Sequence, residues 1–491
     1  MKKISIIVFL AFLVPHIVSG QNKNGYSLDD CRRLAKDHNQ KIKISEEQKG
    51  AATELRKAAF TEFLPNFSIN GTYAMLTKDY QLFKNDMLLP VVPYTAIDAK
   101  TGTLSSTALS NPAVAASTFV INPLTGQVAT DASGNPVFKN YSYLPASATK
   151  LNFKNVYAGN AGFTQPVFMG GKIIIMNRMA RYNEDIANDN IVLAEDETAY
   201  SVEDAYWRVI SLNQKVRLAA QYSNMLKNLV ADMENYRREG IISENDLLRA
   251  RVKQSETELM KLKASNGLEL SKMALCQITG IEYNSSLIFS DSLSQNIAAL
   301  SADSLPGFKT YDRPEIRMLS RGVDVAEAGV KLMKSRYLPN IALSAGYLVM
   351  NPNPYRGFAQ EFGSDWTVGV VCNIPVFHFG EKMRTLKAAE HEKRIAELKL
   401  SEAGELITLQ VHQAEFRYSE SARKSELASL SLDQARENLR LANDNFAEGR
   451  LRTTDLLEAQ SEWEKAYSEL IDARTEQQLA YSNLKKAKGI H

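Results

Sequence analysis

One stretch of this chain occurs twice. Glu239-Gly240-Ile241-Ile242-Ser243-Glu244-Asn245-Asp246-Leu247-Leu248 and Glu448-Gly449-Arg450-Leu451-Arg452-Thr453-Thr454-Asp455-Leu456-Leu457 carry the same glycine, aspartate and leucine pair in step, 209 residues apart. The spacing holds from Pro166-Val167-Phe168 and Pro375-Val376-Phe377, through Gly171 and Gly380, Trp207 and Phe416, to Gly280-Ile281 and Gly489-Ile490. A register kept without a gap over that length marks an internal repeat, so the fold must be buildable from two copies of one unit. Further upstream, Leu64-Pro65-Asn66 answers to Leu338-Pro339-Asn340 at a spacing of 274, so the first copy holds 65 residues that the second lacks.

Each copy reads in one order: helix, strand, strand, long helix, corner, helix. The first helix, Leu28 to Glu62 or Glu315 to Arg336, stops before Leu-Pro-Asn, because a proline pushes the residue before it out of helical geometry. Strands are expected at about 66–76 and 155–168 in the first copy and at about 340–350 and 364–377 in the second. Their residues alternate. Phe67, Ile69, Gly71, Tyr73 and Met75 share a face, as do Ile341, Leu343, Ala345, Tyr347 and Val349, while Ser68, Asn70, Thr72 and Ala74 point the other way. Tyr157, Gly159, Ala161 and Phe163, or Trp366, Val368, Val370, Cys372 and Ile374, extend the apolar face on the return strands. Strands of about ten residues with one apolar and one small or polar face fit a tilted transmembrane β-strand, or equally the edge of a soluble sandwich. If they lie in a membrane, four of them are too few to close a barrel, and several chains must share one. The loop at 77–154 is rich in Pro, Gly, Ser, Thr and Asn and is expected to hold one or two short hairpins.

Pro65, Pro166, Gly171, Pro339, Pro375 and Gly380 are the joints between strands and helices. Beyond them come helical hairpins at 172–279 and 381–488. Their long arms, Lys172 to Arg238 and Glu381 to Glu448, contain no proline and reach roughly 100 Å each at the α-helical rise. Apolar positions step by threes and fours, Leu212, Val216, Ala219, Ser223, Leu226, Val230 and Met233 in one arm, Leu432, Ala435, Leu439, Ala442 and Phe446 in the other, which is coiled-coil spacing. At each corner a glycine ends one helix and a short polar loop starts the next.

Residues 1–20 pair Lys2 and Lys3 with an apolar run from Ile4 to Val14 and small residues at Ser19 and Gly20, the pattern of a secretory signal peptide. The repeats then occupy 21–281 and 313–491, with an irregular connector at 282–312, and the second copy is expected to end almost where the chain does. A formal charge of +2 points to no nucleic-acid partner. Three cysteines, Cys31, Cys276 and Cys372, are too few and too scattered for a disulfide framework and read as packing residues. The histidines lack metal-ligand spacing, and Met169-Gly170-Gly171-Lys172 lacks the earlier glycine and following hydroxyl of a phosphate loop. No nucleophile and base stand in a catalytic arrangement, so an enzyme, a cofactor and a metal are not expected.

A signal peptide, two strand pairs each followed by a long helical hairpin, Leu-Pro-Asn before the first strand and Gly-x5-Asp-Leu-Leu at each corner together resemble the TolC-like outer-membrane efflux proteins. The resemblance covers nearly the whole mature chain. It implies a mainly α fold with transmembrane β: a homotrimer whose shared twelve-stranded β-barrel, four strands per chain, sits in outer-membrane lipid and continues as a hollow α-barrel through the periplasm. It also implies a periplasmic adaptor protein and an inner-membrane transporter of RND or ABC type as partners. Carried onto this sequence, Asp455 and Glu458 become an acidic periplasmic gate with Asp246 as the matching first-copy aspartate. Gly240, Ile241, Ser243, Leu247, Gly449, Leu451, Thr453 and Leu456 become adaptor-docking corners. The sequence departs from the family where a locking arginine and tyrosine are expected and Leu451 and Phe446 stand instead. Read without the family, Asp455 and Glu458 are equally solvated carboxylates in a first helical turn, favoured by the helix dipole.

Three functions follow from these readings: a passive exit duct for small toxic compounds, a duct for secreted proteins, or a non-conducting periplasmic coiled-coil scaffold.

Overall fold

The computed structural model describes residues 25–293 and 310–490; the expected signal peptide and the middle of the connector lie outside the described residues. The chain divides into a helical unit (through Thr61, Gly171–Tyr337 and from Phe377 on) and a strand unit (Glu62–Gly170 and Leu338–Val376). It crosses between them within a few residues of Pro65, Gly171, Pro339 and Pro375.

The helices, numbered along the chain, are α1 (Leu28–His38), α2 (Gln40–Thr61), α3 (Thr107–Ser110), α4 (Pro112–Thr118), α5 (Lys172–Arg238), α6 (Glu244–Thr279), α7 (Pro314–Ser335), α8 (Glu381–Ala447) and α9 (Thr453–Lys488). Arms α5 and α8 are each 67 residues long, and α6 and α9 are each 36. Each arm starts after a glycine held at φ +82°, Gly171 and Gly380, a left-handed conformation that other residues adopt at a cost.

The expected single helix from Leu28 to Glu62 is broken. α1 stops at His38, Asn39 is extended (φ −66°, ψ 130°), and its side-chain amide donates to the Ile278 carbonyl at 3.0 Å. That bond to a residue far along the chain stabilises the break. At the other end, a capping box between Ser27 and Asp30 fixes where α1 begins.

Inside the helical unit, the positions stepping by threes and fours form the core. Ala219, Ser223, Leu226, Val230 and Met233 of α5 are buried, as are Leu432, Leu439 and Ala442 of α8, while Leu212, Val216, Ala435 and Phe446 are partly buried against them. Trp463, Leu470 and Ile471 of α9 join the same cluster. Burying a side chain of this size is worth about 1.5–3 kcal/mol, so this seam rather than helix propensity holds the hairpins together. The buried Tyr206 hydroxyl donates to Asp291 Oδ2 at 2.9 Å. Its proton is held well above the usual phenol range, first by burial and then by that carboxylate.

In the strand unit, β1 (Asn66–Met75), β6 (Asn155–Met169), β7 (Asn340–Asn351) and β8 (Gly363–Asn373) form one antiparallel sheet in the order β1-β6-β7-β8. Among the described residues, both outer strands have a free edge. β8 ends at Asn373, short of the expected 377, since Pro375 has no N–H to give the ladder. The 65-residue addition contributes the short ladders β2 (Tyr80–Gln81) with β5 (Lys150–Leu151) and β3 (Met87–Val91) with β4 (Asn140–Leu144). With α3 and α4 it encloses a small core of Ala96, Ala108, Ala115 and Phe119.

Candidate functional site

The two corners are built alike. In each, the glycine sits in the left-handed region, Gly240 at φ +77° and Gly449 at φ +73°. Gly240 N–H donates to Arg237 O at 3.0 Å and Ile241 N–H to Tyr236 O at 2.9 Å. Gly449 N–H donates to Phe446 O at 3.0 Å and Arg450 N–H to Asn445 O at 2.8 Å. These are two Schellman motifs, and they satisfy carbonyls that a helix end leaves open.

The next helices start differently. Ser243 caps α6: its hydroxyl accepts the Asp246 N–H at 3.2 Å and donates to Asp246 Oδ2 at 2.6 Å. In the second copy the same place is Arg452, which has no capping side chain and instead reaches Asp455 Oδ2 through Nε at 3.3 Å. Thr454 adds a hydroxyl bond to Asp455 Oδ1 at 3.0 Å. Asp246 is thus a capping partner and Asp455 an ion-pair partner, while Glu458, one turn on, is exposed.

The corners meet around a cleft of about 640 Å³, whose wall includes Tyr236, Ile241, Asp246, Leu451, Arg452 and Thr453. Asp455 and Glu458 are not on that wall. Of the eight expected docking residues, Gly240, Ile241, Ser243 and Gly449 are exposed and Leu451 is partly so. Leu247, Leu456 and Thr453 are not surface residues: they are 2%, 1% and 5% exposed, because they sit on the inward stripe of their helices. Phe446 packs against Tyr236 across the cleft, with ring centroids 6.5 Å apart at 64°. Tyr236 is absent from the expected site because the repeat aligns it with Asn445 rather than with Phe446. Arg450 pairs with Glu448 at 2.8 Å, and Arg237 pairs with Glu244.

The sheet of the strand unit gives a second candidate surface. Its registers put Phe67, Ile69, Tyr73, Tyr157, Phe163, Leu343, Tyr347, Trp366, Val368 and Val370 on one face. Ile69 is 86% exposed and Val368 84%. Ring pairs Phe67–Phe163, Tyr73–Tyr157 and Tyr347–Trp366, with centroids at 5.5, 5.0 and 5.1 Å, run across neighbouring strands on this face. Cys372 lies there too and is exposed, unlike the buried Cys31 and Cys276, so it is not a packing residue within this chain. Ser68, Asn70, Thr72, Ala158, Asn160, Gly162, Ser344, Gly346, Thr367 and Gly369 line the opposite face. Near the lower end of β6 the ladder skips Val167 between Pro166 and Phe168, which returns Phe168 to the apolar face opposite Ile341. Pro166 sits at this bulge and Pro65 and Pro339 just before β1 and β7. A contiguous row of exposed aromatic and branched side chains running across four strands is the kind of face that lipid covers in a transmembrane sheet. Among the described residues, no helix is long and apolar enough to cross a membrane, which says nothing of strands.

Residues 311–489 match the family model described as outer membrane efflux protein. The alkaline protease secretion protein AprF of Pseudomonas aeruginosa is 20% identical over 67% of this chain and 70% of its own length. Among solved structures, the chain is similar to CusC, reported in connection with transmembrane channel formation, with a TM-score of 0.70 and 13% identity over 94% of this chain and 92% of that one. It is also similar to the MtrE outer membrane channel of Neisseria gonorrhoeae, with a TM-score of 0.68 and 14% identity over 94% and 89%. Residues 311–489 thus carry the outer membrane efflux protein signature, and the chain as a whole shares the fold of these solved structures.

Proposed function

We propose that three copies of this chain form an outer-membrane exit duct that passively conducts small toxic compounds delivered by an inner-membrane transporter through a periplasmic adaptor. The observation that carries the reading is the sheet with an exposed apolar face, a small and polar opposite face and two free edges. Lipid against the first face and water against the second would satisfy both, but an open edge cannot face hydrocarbon. Pairing β8 of one copy with β1 of the next removes the edges, and three copies close twelve strands. The equal lengths of the paired helices support an internally duplicated subunit, whose hairpins would continue the wall as an α-barrel. In this reading the corners are the periplasmic end, Asp455 and Glu458 contribute to a gate there, and Gly240, Ile241, Ser243, Gly449 and Leu451 meet the adaptor.

The test is biochemical first. The protein should fractionate with the outer membrane, leave it only in detergent, run as three chains by light scattering and conduct ions in planar bilayers. A soluble monomer would end the proposal and favour a periplasmic scaffold. Likeness to AprF supports a second reading, a duct for secreted protein. Deleting the gene separates them: increased drug sensitivity supports efflux, and loss of a secreted protein with unchanged sensitivity supports secretion.

A further inference from the structure

The four strands of the sheet contain one charged side chain, Asp365 of β8. Where it points follows from the register. Asp365 pairs with Leu348, Leu348 with Asn160 and Asn160 with Asn70, so these four residues form one row across the sheet. The flanking rows, through Tyr347 and Trp366 or through Val349 and Ser364, belong to the apolar face, so by alternation the Asp365 row lies on the small and polar one. Asn160 confirms the side: a Cβ added at Gly346, on that face, would come 2.6 Å from Asn160 Oδ1.

The carboxylate is exposed. Among the described residues its one hydrogen bond is from the N–H of the next residue, Trp366, to Oδ1 at 2.8 Å, and no ion pair is formed with it. Outside these four strands, several charges of the strand unit neutralise one another: Asp79 with Lys150 at 2.9 Å and Lys154 at 3.9 Å, and Arg356 with Glu361 at 3.3 Å. Directly across the ladder from Asp365 stands Leu348, and beside it on its own strand and face stands Thr367, neither of which carries a charge to compensate it. An uncompensated carboxylate on an otherwise neutral wall controls the potential of the space that wall encloses.

We infer that Asp365 sets the charge preference of the strand-lined part of the conduit. Three copies place three such carboxylates at one level of the lumen, drawing inorganic and organic cations in and holding anions back. This role is separate from that of the acidic corners. It rests on the shared-barrel reading, and the experiment distinguishes failure of one from failure of the other.

Single channels in planar bilayers are bathed in a tenfold KCl gradient at tens of millimolar, where the screening length is about 10–30 Å and a wall charge is felt across the lumen. The potassium-to-chloride permeability ratio is read from the reversal potential. Asp365→Asn should lower the ratio about twofold or more, Asp365→Lys should lower it further, and Asp365→Glu should keep it. The difference should fade at 1 M KCl, where screening shortens to about 3 Å. Channels whose reversal potential is the same in all four proteins overturn this inference and leave the duct intact. Properly inserted protein that never conducts overturns the duct and this inference with it.

Discussion

Tyr236 and Phe446 lie ring to ring across the two corners, 6.5 Å between centroids and close to edge-on. They are not equivalent positions of the repeat, so the contact joins the copies asymmetrically. An aromatic pair of this geometry contributes about 0.5–1.5 kcal/mol beyond its buried area. Tyr236→Ala and Phe446→Ala should each raise single-channel conductance by loosening the corners. The double variant should exceed neither by much, and additive effects would show that the rings act separately.

The cap difference between the copies gives a stabilising change. Arg452 holds the N-cap place without a capping side chain, whereas Ser243 caps its helix through Asp246. Arg452→Ser should reproduce the Ser243 arrangement with Asp455 and add about 0.5–1 kcal/mol of stability. The ion pair it removes is exposed and contributes little. Ser243→Ala should cost about 1 kcal/mol, both read as shifts of the thermal unfolding midpoint.

Glycine at the corners is required by conformation alone. A Cβ on Gly240 or Gly449 would meet nothing within 4 Å, yet both residues sit at positive φ. Gly240→Ala and Gly449→Ala should therefore each cost about 1–2 kcal/mol, and Gly→Asn distinctly less, because Asn tolerates the left-handed region. Equal losses for Ala and Asn would point to a steric role instead.

A lysine separates the two faces of the sheet. Val368→Lys puts a charge on the apolar face and should cost about 2–4 kcal/mol at mid-membrane, seen as less assembled protein in the outer membrane. Thr72→Lys, on the other face, should assemble normally. Similar yields for both would contradict the lipid assignment.

Buried Arg313 gives a pH prediction. Its Nη1 donates to the Lys486 and Ala487 carbonyls, each at 2.8 Å, and its Nε to Glu315 Oε2 at 3.0 Å. Burial pushes the Glu315 carboxyl up, but the arginine's hydrogen bonds and charge outweigh it and hold the carboxyl below the usual range. A depressed carboxyl stabilises the fold above its unfolded value of 4.5 and loses that contribution as pH falls through the lower folded value. The unfolding midpoint should thus hold near neutrality and drop below about pH 4.5. Arg313→Met should lower stability by about 3 kcal/mol at pH 7, by leaving Glu315 and two carbonyls unpaired, and should flatten that acid limb.

Much of this architecture was legible in the chain. The sequence predicts long arms from Lys172 to Arg238 and from Glu381 to Glu448, and they run from Lys172 to Arg238 and from Glu381 to Ala447, since an uninterrupted helical pattern with a glycine at each end leaves little choice. Period-two alternation likewise assigned the faces of the strands. What local pattern could not supply was contact at a distance. The break at Asn39 depends on the Ile278 carbonyl, and nothing near Asn39 announces it. Leu247 and Leu456 fit the leucine stripe of a helix, but a stripe does not say whether it meets its own chain or a partner; here it meets its own. A lone aspartate in a strand such as Asp365 has no motif, and only the ladder registers it against Asn70 and Asn160.

The skipped residue at Val167 works as a phase corrector. Upstream, odd-numbered residues of β6 face one way; past Pro166 the even-numbered Phe168 takes over that side. Excising Val167 would leave every pair from Tyr157 to Pro166 in place and set Phe168 directly after Pro166, still opposite Ile341 and on the apolar side, with the bulge and its bend removed. One residue therefore sets the bend with which the strand leaves the sheet, while the pairing on either side of it stays the same.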